Sequence, residues 1–184
     1  QFNAGIDLAF FEYRLKLTAD VYYKYTTNLL NDVEMPRSSG YTTSLRNIGA
    51  LSNRGFEIQI DGRLIDSEVK WDMGANFSLN RSRIESLSDD QDIFGSTITT
   101  NIVSGQLNLM RVGEPMYVFY GYVEDGYDET GMIKYKNIDD DPNITPEDRQ
   151  IIGNPNPDFL LNFNTSVSWK GLSLSAFFQG SYGN

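Results

Sequence analysis

The 184-residue chain sets 15 Lys and Arg against 25 Asp and Glu, a net charge of −10 that argues against nucleic acid and anionic lipid headgroups as partners. It contains no Cys and no His, which excludes disulfides and any site built on thiol or imidazole chemistry, while enzymes using only carboxylates remain allowed. No run of about 18 apolar residues exists, so no segment reads as a membrane-crossing helix, which leaves strand spans open.

The chain opens on alternation. Phe2, Ala4, Ile6, Leu8 and Phe10 share one face, with Asn3, Gly5 and Asp7 on the other. After a polar break at Glu12-Tyr13-Arg14, Leu15, Leu17, Ala19, Val21, Tyr23 and Tyr25 oppose Lys16, Thr18, Asp20, Tyr22 and Lys24. Period two on both sides of a short break predicts a β-hairpin. Residues 26 to about 53, with Pro36, Ser38-Ser39-Gly40 and Gly49, are polar and turn-rich and predict a long loop. Alternation returns with Phe56, Ile58, Ile60, Gly62 and Leu64 against Glu57, Gln59, Asp61 and Arg63. Past a turn at Asp66-Ser67-Glu68, Trp71, Met73, Ala75, Phe77 and Leu79 oppose Asp72, Gly74, Asn76, Ser78 and Asn80.

The third hairpin has the clearest pattern. Phe159, Leu161, Phe163, Thr165, Val167 and Trp169 oppose Leu160, Asn162, Asn164, Ser166 and Ser168, and Lys170-Gly171 makes the turn. Leu172, Leu174, Ala176 and Phe178 then oppose Ser173, Ser175 and Gln179, with Phe177 the one exception on the polar side. Each arm is about ten residues, longer than the five or six of an ordinary strand and close to the nine to eleven that cross a bilayer.

In an antiparallel meander the short turns at 12–14, 66–70 and 170–171 share one edge, and the long segments at about 26–53 and 82–158 share the other. That asymmetry is typical of outer-membrane barrels, whereas the loops of a β-sandwich tend to be short at both ends. The polar faces do not separate the two folds, because they suit solvent in a sandwich as well as a hydrated lumen in a barrel. Within 82–158, Met116–Val123 and Met132–Tyr135 predict a local hairpin, Ser86–Gly95 is acidic and turn-like, and Ser96–Leu109 is β-prone and polar. Asn154-Pro155 and Asn156-Pro157 hold the chain extended as it enters the third hairpin.

Several stretches, in order, resemble the SusC/RagA family of TonB-linked outer-membrane proteins. They are the Tyr-rich strand from Tyr22, Asn47-Ile48-Gly49, Asn53-Arg54-Gly55-Phe56-Glu57, Val112-Gly113-Glu114-Pro115 followed by Tyr120-Gly121-Tyr122, and the run from Asp148-Arg149 to the end. The resemblance implies an all-β fold: an antiparallel transmembrane β-barrel segment of about six long strands, with 1–184 a C-terminal barrel portion and 82–158 a large outer loop insertion. Six strands enclose too little for a transport lumen, and the chain starts and stops mid-pattern, so a part of a longer barrel is expected. It further implies import of glycans or other oligomeric nutrients, peptides included, through the outer membrane of a Gram-negative, Bacteroidota-like cell. TonB and a SusD-like surface lipoprotein would be its protein partners, outer-membrane lipid its surroundings, and no enzyme activity is expected.

The stretch 137–148 (NIDDDPNITPED) resembles a calcium loop that many members of the family carry. That resemblance implies oxygen ligands from Asn137, Asp139, Asp141, Asn143, Thr145 and Asp148 at loop positions 1, 3, 5, 7, 9 and 12. Asn137 in place of Asp, Pro142 in place of Gly and Asp148 in place of Glu depart from the pattern. The competing reading is a one-turn helix with Thr145 as N-cap and Pro146 first in the helix. Two alternatives of other classes stand beside the importer. One is a soluble secreted β-sandwich that binds carbohydrate. The other is a glycan hydrolase using pairs such as Asp89-Asp90 or Glu124-Asp125, whose adjacent acids point to opposite faces of an extended chain. The loop aromatics Tyr117, Phe119, Tyr120, Tyr122 and Tyr127 suit stacking on sugar rings or packing among loops.

Overall fold

A computed structural model describes residues 1–34, 38, 40–41, 43–87, 91–95, 97–99, 104–139 and 141–184, without the side chains of 31–34, 43, 45–46, 48 and 104. The chain divides into two compact units: residues 1–29, 50–82 and 156–184 form the first, and 30–49 with 83–155 the second.

The first unit is built on one six-stranded sheet. Its strands are β1 (Phe2–Phe10), β2 (Leu15–Glu34), β3 (Thr43–Asp66), β4 (Val69–Leu87), β13 (Phe159–Trp169) and β14 (Leu172–Tyr182), adjacent in that order, and three of them run on into the second unit. The alternation sets the register. Phe2 faces Tyr23, Ala4 faces Val21, Ile6 faces Ala19 and Leu8 faces Leu17. Thr165 faces Ala176 on one side and Met73 on the other. A slip of one residue would turn every apolar side chain to the wrong face.

The short turns fall where the sequence places them. Phe11, Glu12 and Tyr13 hold φ of 53°, 55° and 66°, and Lys170-Gly171 form a two-residue turn with φ of 45° and 83°. Two left-handed residues match the twist of the flanking strands, and glycine takes the second position without a Cβ penalty.

The expected loop at 26–53 is mostly strand. β2 is 20 residues long, β3 is 24 and β4 is 19, so the ladder continues well past the amphipathic arms. Here pairing between neighbouring strands carries the chain past the amphipathic arms, although its sequence shows no clear period-two signal. Gly49 of the Asn47-Ile48-Gly49 motif has φ of 128°, and its N–H donates to Asn47 Oδ1 at 3.0 Å. A side chain there would collide with the Ser86 carbonyl, so glycine allows two backbones to approach.

In the second unit, β5 (Ile93–Phe94), β8 (Asn108–Met110), β9 (Val118–Gly121) and β12 (Gln150–Gly153) form a four-stranded sheet in the order β12-β9-β8-β5. β6 (Thr97–Thr99) pairs with β7 (Ser104–Gln106), and β10 (Glu124–Tyr127) with β11 (Ile133–Tyr135). The local hairpin expected from 116–123 and 132–135 therefore forms one strand later. Val118–Gly121 joins β8 and β12 instead, because Val118 is buried with Leu109 and Met110 in this unit's core.

A glycine organises the polar face of the main sheet. The Tyr22 ring passes over Gly55, where a β-carbon would strike it, and its hydroxyl lies 3.1 Å from Asn80 Oδ1, tying β2 to β4 across β3. In the full-length protein, Tyr22→Phe should cost only about 0.5–1.5 kcal/mol, the worth of one hydrogen bond. Gly55→Val should cost more, by displacing the ring. Thermal melts in detergent and heat-dependent gel mobility would check the order, and equal costs would contradict the ring-over-glycine account.

Candidate functional site

The apolar face of the sheet lies bare. Leu172, Leu174 and Phe178 are 72%, 74% and 61% exposed, and Ile6, Phe10, Val21 and Ile60 are exposed as well. In a β-sandwich these side chains would form the buried core between two sheets. A monomeric soluble protein rarely leaves so continuous an apolar surface open, and the carbohydrate-binding sandwich is overturned on that ground.

Both ends of this face carry aromatic side chains. At one end Phe159 stacks between Phe77 and Tyr182, with ring centroids 5.5 and 5.2 Å apart. At the other, Lys170 Nζ sits 5.2 Å from the Trp169 ring, and Trp71 Nε1 donates to Thr165 Oγ1 at 2.9 Å. Phe159 and Trp169 end a strand of 11 residues, about 33 Å long at about 3.3 Å per residue. A tilt of about 40° reduces that to about 25 Å, the height of the apolar band on membrane barrels.

The opposite face is polar and cross-linked. Thr18 Oγ1 donates to Asp7 at 2.6 Å, and Arg63 Nε donates to Asp72 at 2.9 Å. Arg81 anchors the start of β13 by donating to the Asp158 carbonyl at 2.9 Å and pairing with its carboxylate at 2.7 Å. The Asn-Pro segment before it thus works as structural punctuation.

Residues 1–180 match the family model described as "TonB dependent receptor-like, beta-barrel". The chain belongs to this family. It is 32% identical over 200 residues to TonB-dependent receptor P3 of Formosa agariphila and 29% identical over 192 residues to TonB-dependent receptor SusC of Bacteroides thetaiotaomicron. Those alignments take in 100% and 99% of this chain but 20% and 19% of the relatives, so the chain spans about one fifth of their length. Among solved structures it is similar to the RagAB peptide transporter, with a TM-score of 0.80 at 26% identity over 97% of this chain and 20% of that one. The RagAB peptide importer in the 'open-open' state gives 0.80 at 25% identity, over 98% of this chain and 20% of that one. The six-stranded sheet is therefore an open section of a TonB-dependent receptor barrel of the outer membrane, with its bare face toward lipid.

The six residues of the candidate calcium loop all lie in the second unit. Asp139 Oδ1 accepts the Asp141 N–H at 3.0 Å, Asp141 Oδ1 accepts the Asn143 N–H at 2.9 Å, and Asn137 Nδ2 donates to the Asp141 carbonyl at 2.5 Å. The Asp139 and Asp141 contacts are Asx turns, in which the side chain caps the backbone two residues on, whereas Asn137 reaches the carbonyl four residues on. Asp148 is fully buried and accepts the Ile138 N–H at 2.7 Å on one oxygen and the Thr145 N–H at 2.8 Å on the other. The Thr145 and Ile138 hydrogen bonds hold its carboxyl below the usual range, with a further one from Asp139. Among the described residues, no three acidic side chains come together to hold a metal ion. The Oδ1 atoms of Asp139 and Asp141 and both carboxylate oxygens of Asp148 thus serve the loop's own backbone. Pro146–Asp148 does form a one-turn 3-10 helix with Pro146 first, but Thr145 Oγ1 is buried without a hydrogen bond, so the backbone N–H rather than the hydroxyl makes the cap.

The proposed carboxylate pairs do not form a catalytic centre in the described residues. Asp89-Asp90 lies outside them, and Glu124 and Asp125 are adjacent and exposed on β10. Two of the five loop aromatics meet other rings, and Tyr117, Phe119 and Tyr127 are exposed. Tyr120 lies between Phe94 at 5.7 Å and the Arg149 guanidinium at 4.6 Å, and Tyr122 meets Tyr135 at 5.4 Å. Arg149 also donates to the Gln106 and Tyr120 carbonyls. Sequence reading missed Arg149 and the Arg111–Asp92 pair at 2.6 Å, because strands of two to four residues carry no measurable period.

Neighbouring residues on β14 test which face meets lipid. In the full-length barrel, Ala176→Arg should destabilise by about 2–4 kcal/mol, the cost of a cation near the bilayer midplane. Ser175→Arg, pointing the other way, should be close to neutral. Unfolding in urea from lipid vesicles would measure both, and the reverse order would invert the assignment of faces.

Proposed function

We propose that the chain is a stretch of wall and outer loop from a TonB-dependent outer-membrane importer of glycans or other oligomeric nutrients. The observation that carries the reading is the bare apolar face with aromatic ends, on a sheet that belongs to this receptor family. Its role would be passive. Apolar side chains hold the wall in lipid, the polar face borders a hydrated lumen, and backbone bonds are satisfied strand to strand. Residues 82–158 would be the large outer loop, available to substrate or to a SusD-like lipoprotein lid, while TonB would supply energy through parts of the barrel protein beyond this chain's share. The RagAB structures are named for peptide import, which puts peptides beside glycans as cargo. No catalytic step is assigned to this chain.

The direct experiment is oligomer uptake by cells carrying the full-length receptor. Uptake should be lost both on deleting the receptor and on deleting TonB. Uptake that persists without TonB would overturn the reading.

For residues 137–148 we propose a turn that orders itself without calcium, supported by the backbone bonds to Asp148. Because the folded carboxyl titrates below its unfolded value, its stabilisation is complete above about pH 4 and is lost as pH falls through the lowered folded pKa. Hydrogen exchange of the Ile138 and Thr145 amides in the full-length protein should show protection that fades in acid and ignores chelators. Protection that collapses with a chelator and returns with calcium would reinstate the six-ligand site.

A further inference from the structure

Toward the long loops, the lipid-facing side of the sheet ends in a row that is not apolar. Asp66 and Val69 flank the turn between β3 and β4, so Arg54, twelve residues back, stands opposite Arg81, twelve residues on. The Arg63–Asp72 ion pair fits the same register. On the other side, the Tyr22 ring over Gly55 and the bond from the Arg63 N–H to the Arg14 carbonyl place Tyr23 beside Arg54. Arg54 shares its face with Phe56, Ile58 and Ile60, and Tyr23 shares its face with Val21, so both look toward lipid. Leu160 faces Ser78, which sets Leu79 level with Phe159 at the end of the apolar band. Arg81 and Arg54 lie two residues beyond that level, about 6.6 Å along the strand, where hydrocarbon gives way to headgroups.

The two arginines differ in their surroundings. The Arg81 guanidinium pairs with Asp158 at 2.7 Å and donates to the Pro157 and Asp158 carbonyls at 3.3 and 2.9 Å. Arg54 is exposed, and its guanidinium and the hydroxyls of exposed Tyr23 and Tyr25 make no hydrogen bond, ion pair or ring contact among the described residues. Like charges opposite one another on a sheet repel, and Asp158 answers only one of the two. The chain as a whole carries a net charge of −10. On the lipid-facing side of the first unit's strands, however, the one acid is Asp66, at the opposite rim. Whole-chain charge thus conceals a local site for an anion.

We propose that Arg54, with Tyr23 and Tyr25, binds the phosphate of an outer-leaflet glycolipid. A guanidinium presents parallel N–H donors that match two phosphate oxygens, and each phenol can donate to a further one. Acyl chains of the same lipid would lie along Val21, Phe56 and Leu79, the apolar residues next inward. A free anion would make no use of those side chains, which commits the site to a lipid. One uncompensated cation suits one phosphate group. The proposal rests on the barrel's lipid-facing side and not on what the receptor imports.

The test uses the full-length receptor in detergent, stripped of bound lipid. It is titrated with phosphorylated lipid A, with the same glycolipid after dephosphorylation, and with inorganic phosphate, bound lipid being counted by native mass spectrometry. The parent should prefer the phosphorylated form, and Arg54→Gln should weaken its binding by about tenfold or more, the scale of one charge-assisted contact. Arg54→Lys should recover part of the loss, and joint Tyr23→Phe and Tyr25→Phe should lower affinity by a smaller factor. Lys24→Gln, one residue from Tyr23 on the opposite face, should bind like the parent. Heat-dependent gel mobility would check that each variant is folded. Equal affinity of the parent for the two glycolipids would overturn the proposal without recourse to any variant, and so would an Arg54→Gln receptor that binds like the parent. Displacement of the glycolipid by equimolar inorganic phosphate would also overturn it, by showing a site for a free anion.

Discussion

A backbone inside hydrocarbon finds no water, so every N–H and C=O must be paired by the chain itself, and only helices and closed sheets achieve this. Among the described residues no helix is long and apolar enough to cross a membrane, and the long elements are strands. Long arms, strict alternation, short turns and antiparallel register all serve that one requirement. The register carries each apolar side chain to the lipid side and each polar one to the other, and a slip by one residue would reverse both. The bare apolar face is therefore the feature that the rest of the sheet is arranged to allow.

On the polar face the constraint relaxes, and specific contacts take over. Gly55 makes room for the Tyr22 ring and Gly74 makes room for Asn164, so side chains from one strand lie across a neighbour. Charge is unevenly distributed on this side: ion pairs such as Arg63–Asp72 gather on the earlier strands, and the last hairpin is neutral.

The second unit solves a different problem. Its own strands are short, and its buried apolar side chains are few: Ile84, Leu87, Leu109, Met110 and Val118 among the described residues, with Asp148 buried as well. Side chains bonded to backbone replace long ladders there. Asp128 caps the β10–β11 turn by accepting the Thr130 and Met132 N–H groups at 2.8 and 2.9 Å, and Asp148 does the same for the 137–148 turn. Acids that resemble ligands in sequence are engaged here as caps, since a short loop with few ladder bonds must satisfy its amides locally.

The sequence by itself determined the three hairpins, their faces, their turns and the barrel family, because period two over about ten residues is a direct record of one face in lipid and one in water. It also marked Phe177 as the break in the pattern. The extension of β2 to Glu34 and the start of β3 at Thr43 were hidden, since those residues show no clear alternation. The fate of the 137–148 acids was hidden too, because an Asp that binds a cation and an Asp that caps an amide read alike. Only the tertiary structure shows which donors stand within reach of each oxygen and which strand lies beside each polar run.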